Sequence, residues 1–332
     1  MPDVLIEQVL KTVRNYELMK NGDCVMLAVS GGPDSVFMLH AIASLGKKLG
    51  LKSLSVCNLD HGLRGKESAE DSDFVRRMAN RYGLPFFHNK IKIMRSAADN
   101  LSVEELARQA RYQFFKEAAL RAGAGVVATG HTLDDQAETV LMRLIKGSSM
   151  KGVVGIAPKR QEGVITVVRP LIEIEKKQIV RYLEAAGIPY RVDSTNLEDI
   201  FFRNVVRNEI MPFLERYNPR LKRALFSFAE HLREDFEFIS EARRKLGRSL
   251  TKSGGGQLEI LLKDFVIQPK ALQKEILRDC LEKSGGEVKR LSFRHWKELD
   301  ALIRQKRKGS SVDLPGGIRV SRTERCLKFI RN

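Results

Sequence analysis

Apolar and β-branched residues gather in four short runs, at 25–29, 54–59, 87–93 and 126–129, separated by longer stretches with helical spacing. Short buried runs alternating with helical patterns predict parallel strands joined by crossover helices. The expected architecture is α/β, a doubly wound and mainly parallel sheet. One helix is expected to open at the capping box Ser102-x-x-Glu105 and to reach about Arg121, where Gly123 and Gly125 stop it.

The pattern changes in the last third. A helix interrupted near Met211-Pro212 precedes Asn218-Pro219, a linker candidate because a residue before proline disfavours helix. Domains are therefore expected at 1–217 and 218–332. Within the second, residues 220–247, 269–284 and 293–306 read as helices, with a Gly254-Gly255-Gly256 turn after the first. A small β hairpin is expected at the end, 311–314 with 318–330 around Pro315-Gly316-Gly317.

Charge separates the same two parts. The chain of 332 residues carries 58 Lys and Arg against 41 Asp and Glu, a net +17. Residues 216–332 hold 28 of the basic and 15 of the acidic side chains, so +13 lies there and only +4 upstream. A basic surface of that size attracts phosphate backbones through counterion release, whatever their base sequence. Arg304-Gln305-Lys306-Arg307-Lys308 is its densest run, and Lys306, Arg307 and Lys308 are candidate phosphate contacts.

No stretch approaches the roughly 20 apolar residues of a membrane span, and no signal peptide is evident, so a cytoplasmic, soluble protein with no membrane partner is expected. Cys24, Cys57, Cys280 and Cys326 form no CxxC pair, which suggests reduced packing residues.

The first candidate for chemistry is Ser30-Gly31-Gly32-Pro33-Asp34-Ser35, between a strand-like run and a helical one. Adjacent glycines let backbone N–H groups approach an anion closely, and the following helix dipole favours negative charge. No Lys-Ser/Thr ending is present, so a Walker-type phosphate loop is disfavoured. The second candidate is Gly130-His131-Thr132-Leu133-Asp134-Asp135-Gln136-Ala137-Glu138-Thr139, where Thr132 and Asp135 have capping-box spacing. In an open α/β sheet both segments fall at the carboxyl edge, where ligands bind. Carboxylates beside a phosphate site can hold Mg2+ or grip a cationic substrate, and Asp134, Asp135 and Glu138 share one helical face.

These segments carry a resemblance. SGGPDS at Ser30 resembles the PP-loop ATP pyrophosphatases. LDHGLR from Leu59, VEELARQARYQFF from Val103, TGHTLDDQAET from Thr129, RLIKG from Arg143, RPL from Arg169 and DSTNLEDIFFRNVVRNEIMP from Asp193 are similar, in order, to the tRNA(Ile)-lysidine synthetase family. LPGGIRVSR from Leu314 resembles the end of that family's C-terminal region.

The resemblance implies an ATP-dependent ligase. ATP adenylates C2 of the wobble cytidine of isoleucine tRNA with anticodon CAU, and free L-lysine then displaces AMP to form lysidine. It implies ATP held by Ser30, Gly31, Gly32, Pro33, Asp34 and Ser35; Mg2+ placed by Asp34 and Asp134; catalysis by Asp34, Asp134 and Asp135; and lysine held by Asp135 and Glu138. His61, Arg108 and Arg111 are implied nucleotide or adenylate contacts, and Arg203 and Arg207 tRNA contacts. Three positions depart from the family pattern: Thr132 stands where many members have histidine, Lys146 where arginine is usual, and Asp193-Ser194-Thr195-Asn196 differs from the commoner DPSN.

Three other readings compete. A tRNA thiolase shares the loop and the basic tail, but the cysteines lack the pairing that sulfur transfer needs. A small-molecule amidotransferase or NAD synthetase leaves the +13 region unexplained. A non-enzymatic RNA-binding protein leaves SGGPDS and its acidic companion unexplained. Oligomeric state is left open.

Overall fold

The computed structural model describes residues 2–60, 66–91, 103–191, 200–254, 257–305 and 307–331. They form two compact units, Met1–Glu230 and His231–Asn332. The first runs α1 (Pro2–Asn15), β1 (Cys24–Ala28), α2 (Pro33–Leu45), β2 (Ser53–Asp60), α3 (Lys66–Arg81), β3 (Phe86–Lys90), α4 (Val103–Ala122) and β4 (Val126–Thr129). It continues through α5 (Leu133–Ile145), α6 (Met150–Val153), β5 (Lys159–Glu162), β6 (Ile165–Val168), α7 (Lys176–Ala185), α8 (Ile200–Val205) and α9 (Met211–Glu215) to α10 (Leu221–Leu250), which runs through the division.

The sheet of the first unit has the order β3-β2-β1-β4-β6-β5. Its first five strands are parallel, and β5 joins β6 antiparallel at the edge. Strand order reverses between β1 and β4, which pair from Val25 with Val126 to Ala28 with Thr129. In a doubly wound sheet that reversal opens a crevice at the carboxyl ends of the two strands, and the loops after β1 and β4 are the two singled out by their residues. The β5–β6 hairpin and α7 add to the sequence reading. The edge strand β5 is Lys-Arg-Gln-Glu, polar enough to hide its strand character.

α2 is buried at Ser35, Val36, Phe37, Met38, Leu39, Ala41, Ile42 and Leu45, apolar nearly all round because it is enclosed rather than amphipathic. Each large side chain buried there contributes about 1.5–3 kcal/mol. That anchoring fixes the loop at the helix N-terminus. On the other face of the sheet, Tyr112, Phe114 and Phe115 of α4 pack with Met26, Cys57, Val127 and Val167.

Near Met211-Pro212 the helix is continuous. A π-helical turn, Val206–Ile210, joins α8 to α9, and the Met211 N–H reaches the Val206 carbonyl. Pro212 falls in the first turn of α9, where a missing N–H costs little, and the wider turn absorbs its ring.

In the second unit, β7 (Thr251–Gly254), β8 (Gln257–Leu261), α11 (Leu262–Phe265), α12 (Lys270–Lys283) and α13 (Phe293–Arg304) precede β9 (Ser311–Leu314), β10 (Ile318–Arg322) and β11 (Cys326–Arg331). The strands form an antiparallel sheet ordered β7-β8-β11-β10-β9. The terminal hairpin thus extends into a meander in which β11 pairs with β8, and β8 pairs in turn with β7. Phe265, Ile276, Leu277, Leu299, Leu302, Val320, Leu327 and Phe329 fill its core. All four cysteines are free, with Cys57, Cys280 and Cys326 buried.

Candidate active site

The turn after β1 is closed by its own serines. Ser35 Oγ accepts from the Ser30 N–H at 3.1 Å and donates to the Gly32 carbonyl at 2.9 Å, while the two hydroxyls lie 3.2 Å apart. Gly31 has φ +96, open to glycine and strained for other residues. Gly32 is the N-cap of α2 and Pro33 its first residue, so the helix N-terminus faces the loop. Asn58 steadies the turn from β2, its Nδ2 donating 2.8 Å to the Val29 carbonyl.

The loop after β4 lies against this turn. A Cβ on Gly130 would sit 3.2 Å from the backbone carbon of Asp34 and 3.2 Å from the amide nitrogen of Ser35. Glycine at 130 lets the two ligand-edge loops touch. The capping box is present: Thr132 Oγ1 accepts from the Asp135 N–H, and Asp135 Oδ2 accepts from the Thr132 N–H at 2.9 Å. The Oδ1 of Asp135 stays turned toward the site.

Four carboxylates and four cations meet here. Lys176 Nζ donates to Asp135 Oδ1 at 3.2 Å and lies 3.7 Å from Asp34 Oδ2. Its backbone N–H donates to Asp134 Oδ2 at 2.8 Å, and Lys222 Nζ donates to Asp134 Oδ1 at 2.7 Å. Arg203 joins Glu138 and Asp135, at 2.7 and 3.1 Å, and Arg207 takes both oxygens of Glu138, at 2.7 and 2.9 Å. Glu138 is 3 % exposed, so removing either guanidinium would leave a buried carboxylate short of a partner. A cavity of about 180 Å³ opens beside Asp134 and Glu138, walled by Arg207, Met211, Pro212 and Lys222.

The carboxyls differ in their environments. Burial pushes Asp34 up to about 6, opposed by Lys176 and reinforced by Asp135 and Asp134. Burial acts on Asp135 in the same direction, but Lys176, His131 and Arg203 together hold it well below the usual carboxylate range. Burial and the neighbouring Arg169, Arg111 and Arg203 depress His131 to about 4 against the pull of Asp135, so it is a neutral imidazole at physiological pH. Its Nδ1 lies 2.9 Å from Thr129 Oγ1.

Among the described residues no three His, Cys, Asp or Glu side chains converge as a metal cage. Mg2+ does not require one, since one or two carboxylates plus substrate phosphates suffice. Asp34 Oδ1 is buried without a hydrogen-bond partner among the described residues, a donor left over for a hard cation. Both oxygens of Asp134 are already engaged.

Arg108 and Arg111 are exposed on α4; Arg111 bears on the His131 ring from there, and the Arg108 guanidinium stacks 5.0 Å from the Tyr112 ring centre. Lys146 Nζ is 5.2 Å from the Phe202 ring centre. Arg307 and Lys308 are exposed in the turn before β9 of the second unit. His61, Ser102, Lys306 and Asp193 to Asn196 lie outside the described residues. Lys176, Lys222 and His131 escaped the sequence reading of the site. Lys176 follows the RPL segment by a few residues, the one local signal that could have drawn attention to it.

Residues 3–214 match the PP-loop domain model. A tRNA(Ile)-lysidine synthase of Clostridioides difficile is 32% identical over 322 residues, 96% of this chain and 69% of that protein. One of Geobacter sulfurreducens is 35% identical, covering 98% of this chain and 70% of its own length. The chain belongs to the tRNA(Ile)-lysidine synthase family. A U34-tRNA thiolase from Methanococcus maripaludis, NcsA, solved with its [4Fe-4S] cluster, superposes with TM-score 0.59 at 20% identity, over 70% of this chain and 80% of that one. That likeness establishes the shared fold alone. Within the lysidine synthase family this chain carries the SGGPDS loop and the acidic helix start on adjoining turns of one crevice.

Proposed function

We propose that this chain ligates L-lysine to C2 of the wobble cytidine of isoleucine tRNA with anticodon CAU. The observation that supports this beyond family membership is the close approach of Gly130 to the Asp34–Ser35 backbone, which brings the SGGPDS turn and the carboxylate cluster to one crevice. In the first step the C2 oxygen attacks the α-phosphorus of ATP and pyrophosphate leaves. In the second the lysine ε-amine attacks C2, loses a proton, and AMP departs with the bonding electrons to oxygen. The activated oxygen becomes part of AMP.

Ser30 to Ser35 would cradle the triphosphate, with loop amides and the α2 dipole offsetting its charge. Mg2+, when bound, would neutralise the departing pyrophosphate; Asp34 would hold it, with Asp134 joining only by releasing Lys222. Asp135 and Glu138 would orient the incoming ammonium before it deprotonates. Lys176 and Arg203 now hold Asp135 Oδ1 while Arg203 and Arg207 hold Glu138, so substrate lysine would have to displace one of these cations, with Lys176 the candidate at Asp135. Arg203 and Arg207 would hold the Glu138 carboxylate in place and offer their remaining N–H groups to a tRNA phosphate. Arg108, Arg111 and His61 would meet nucleotide or adenylate, and Lys306, Arg307 and Lys308 would add phosphate contacts from the second unit.

The test is the stoichiometry of ATP cleavage. AMP should form in step with tRNA modified, and only when both isoleucine CAU tRNA and lysine are supplied, whereas pyrophosphate release should need the tRNA but not lysine. Release of ADP and orthophosphate would overturn the mechanism.

A further inference from the structure

Phe213 and Tyr217 stand out on the first unit because large aromatics are seldom left in water beside a binding site. They are 52% and 78% exposed. Phe213 lies in α9 and Tyr217 in the turn that follows it, with ring centres 5.5 Å apart in an edge-to-face arrangement at 65°. Their exposure leaves ring surface open to solvent. Exposed Arg216, Arg220 and Arg223 surround them in sequence, and the intervening residue Glu215 belongs to the wall of the acidic site.

A second cavity, of about 330 Å³, adjoins this segment. Lys177, Pro219, Arg220 and Arg223 line it, and it shares Glu215 and Lys222 with the cavity beside Asp134 and Glu138. Aromatic faces interleaved with guanidiniums, next to a nucleotide-sized hollow that borders the catalytic carboxylates, match an unstacked RNA segment. Bases stack on aromatic rings without regard to sequence, while arginines take the phosphates between them. A protein partner or a second copy would call for a wider apolar patch with fewer uncompensated arginines.

We infer that Phe213 and Tyr217 form a stacking platform for an unpaired anticodon-loop base beside the wobble cytidine, with Arg216, Arg220 and Arg223 on its backbone. This rests on the tRNA reading above. The platform holds the loop splayed while the wobble base enters the crevice.

The test uses the full chain and an isoleucine CAU tRNA with 2-aminopurine beside the wobble position. Tyr217→Ala and Phe213→Ala should each weaken tRNA binding about ten-fold or more and change the 2-aminopurine fluorescence on binding. Tyr217→Phe should restore affinity, because the ring and not the hydroxyl does the stacking. The salt dependence of binding should stay as in wild type for Tyr217→Ala and become shallower for Arg220→Ala. Wild-type affinity and fluorescence in both alanine variants would overturn the platform, as would dissociation of a dimer by Tyr217→Ala with tRNA affinity intact. Lysine incorporation by the wild-type chain reads the underlying reaction separately, so the two can fail independently.

Discussion

Arg207 clasps Glu138 at two points, its Nε 2.7 Å from Oε1 and a terminal nitrogen 2.9 Å from Oε2. The hydrogen bond with Glu138 also raises the Arg207 pKa. Lysine cannot reproduce a planar two-point contact, so Arg207→Lys is not conservative here. Glu138→Gln leaves two guanidiniums facing a neutral amide and should destabilise the first unit by about 1–3 kcal/mol, discounted because the arginines are partly exposed. Chemical denaturation checks it. Replacing Arg203 and Arg207 together by glutamine should weaken tRNA binding more than ATP binding; filter binding at moderate salt reads the first and nucleotide titration the second.

Asp135 has one oxygen on the helix cap and the other shared by the Lys176 ammonium and Arg203. Asp135→Asn keeps a cap acceptor and removes the charge, so KM for lysine should rise at least about ten-fold more than KM for ATP. Lys176→Met should do the reverse for lysine, lowering its KM by vacating the cation position. Steady-state kinetics with each substrate varied in turn separates the two effects.

Gly130→Ala should act at a distance from any substrate. Its methyl would meet backbone, which cannot rotate away, so the Asp34–Ser35 turn must shift by a few tenths of an ångström. A displacement of that size should raise KM for ATP about three- to ten-fold while Tm changes little.

His131 gives the first unit a pH dependence. Its folded pKa of about 4 lies below the ordinary 6.5, so between those values the unfolded chain takes up a proton that the folded chain refuses. Its contribution to stability is full above about 6.5 and is lost progressively toward 4, by about 1.4 kcal/mol per pH unit at most. Asp34, raised to about 6, acts in the opposite sense over part of that window. The difference between wild type and His131→Gln, measured by urea unfolding from pH 7 to 4.5, should therefore shrink as pH falls.

Much of this was legible because short-range chemistry announces itself. The β1 and β4 runs, the glycines of the SGGPDS turn and the Thr132–Asp135 capping box all have local signatures, and each appears where its residues pointed. The β5 edge strand did not, since its exposed positions carry charge instead of alternation. Lys176 and Lys222 were silent for a different reason: they lie 41 and 88 positions from the aspartates they neutralise, and only strand order and helix packing bring them together. Charge pairing across such separations leaves no periodicity to read.

Incorporation of labelled lysine into isoleucine CAU tRNA with Mg-ATP, beside a methionine tRNA with the same anticodon, tests the central claim most directly. The predicted result is label in the isoleucine tRNA alone, at the wobble position, with loss on Asp135→Asn. ATP cleaved to AMP and pyrophosphate with tRNA present, and no lysine ever incorporated, would contradict it.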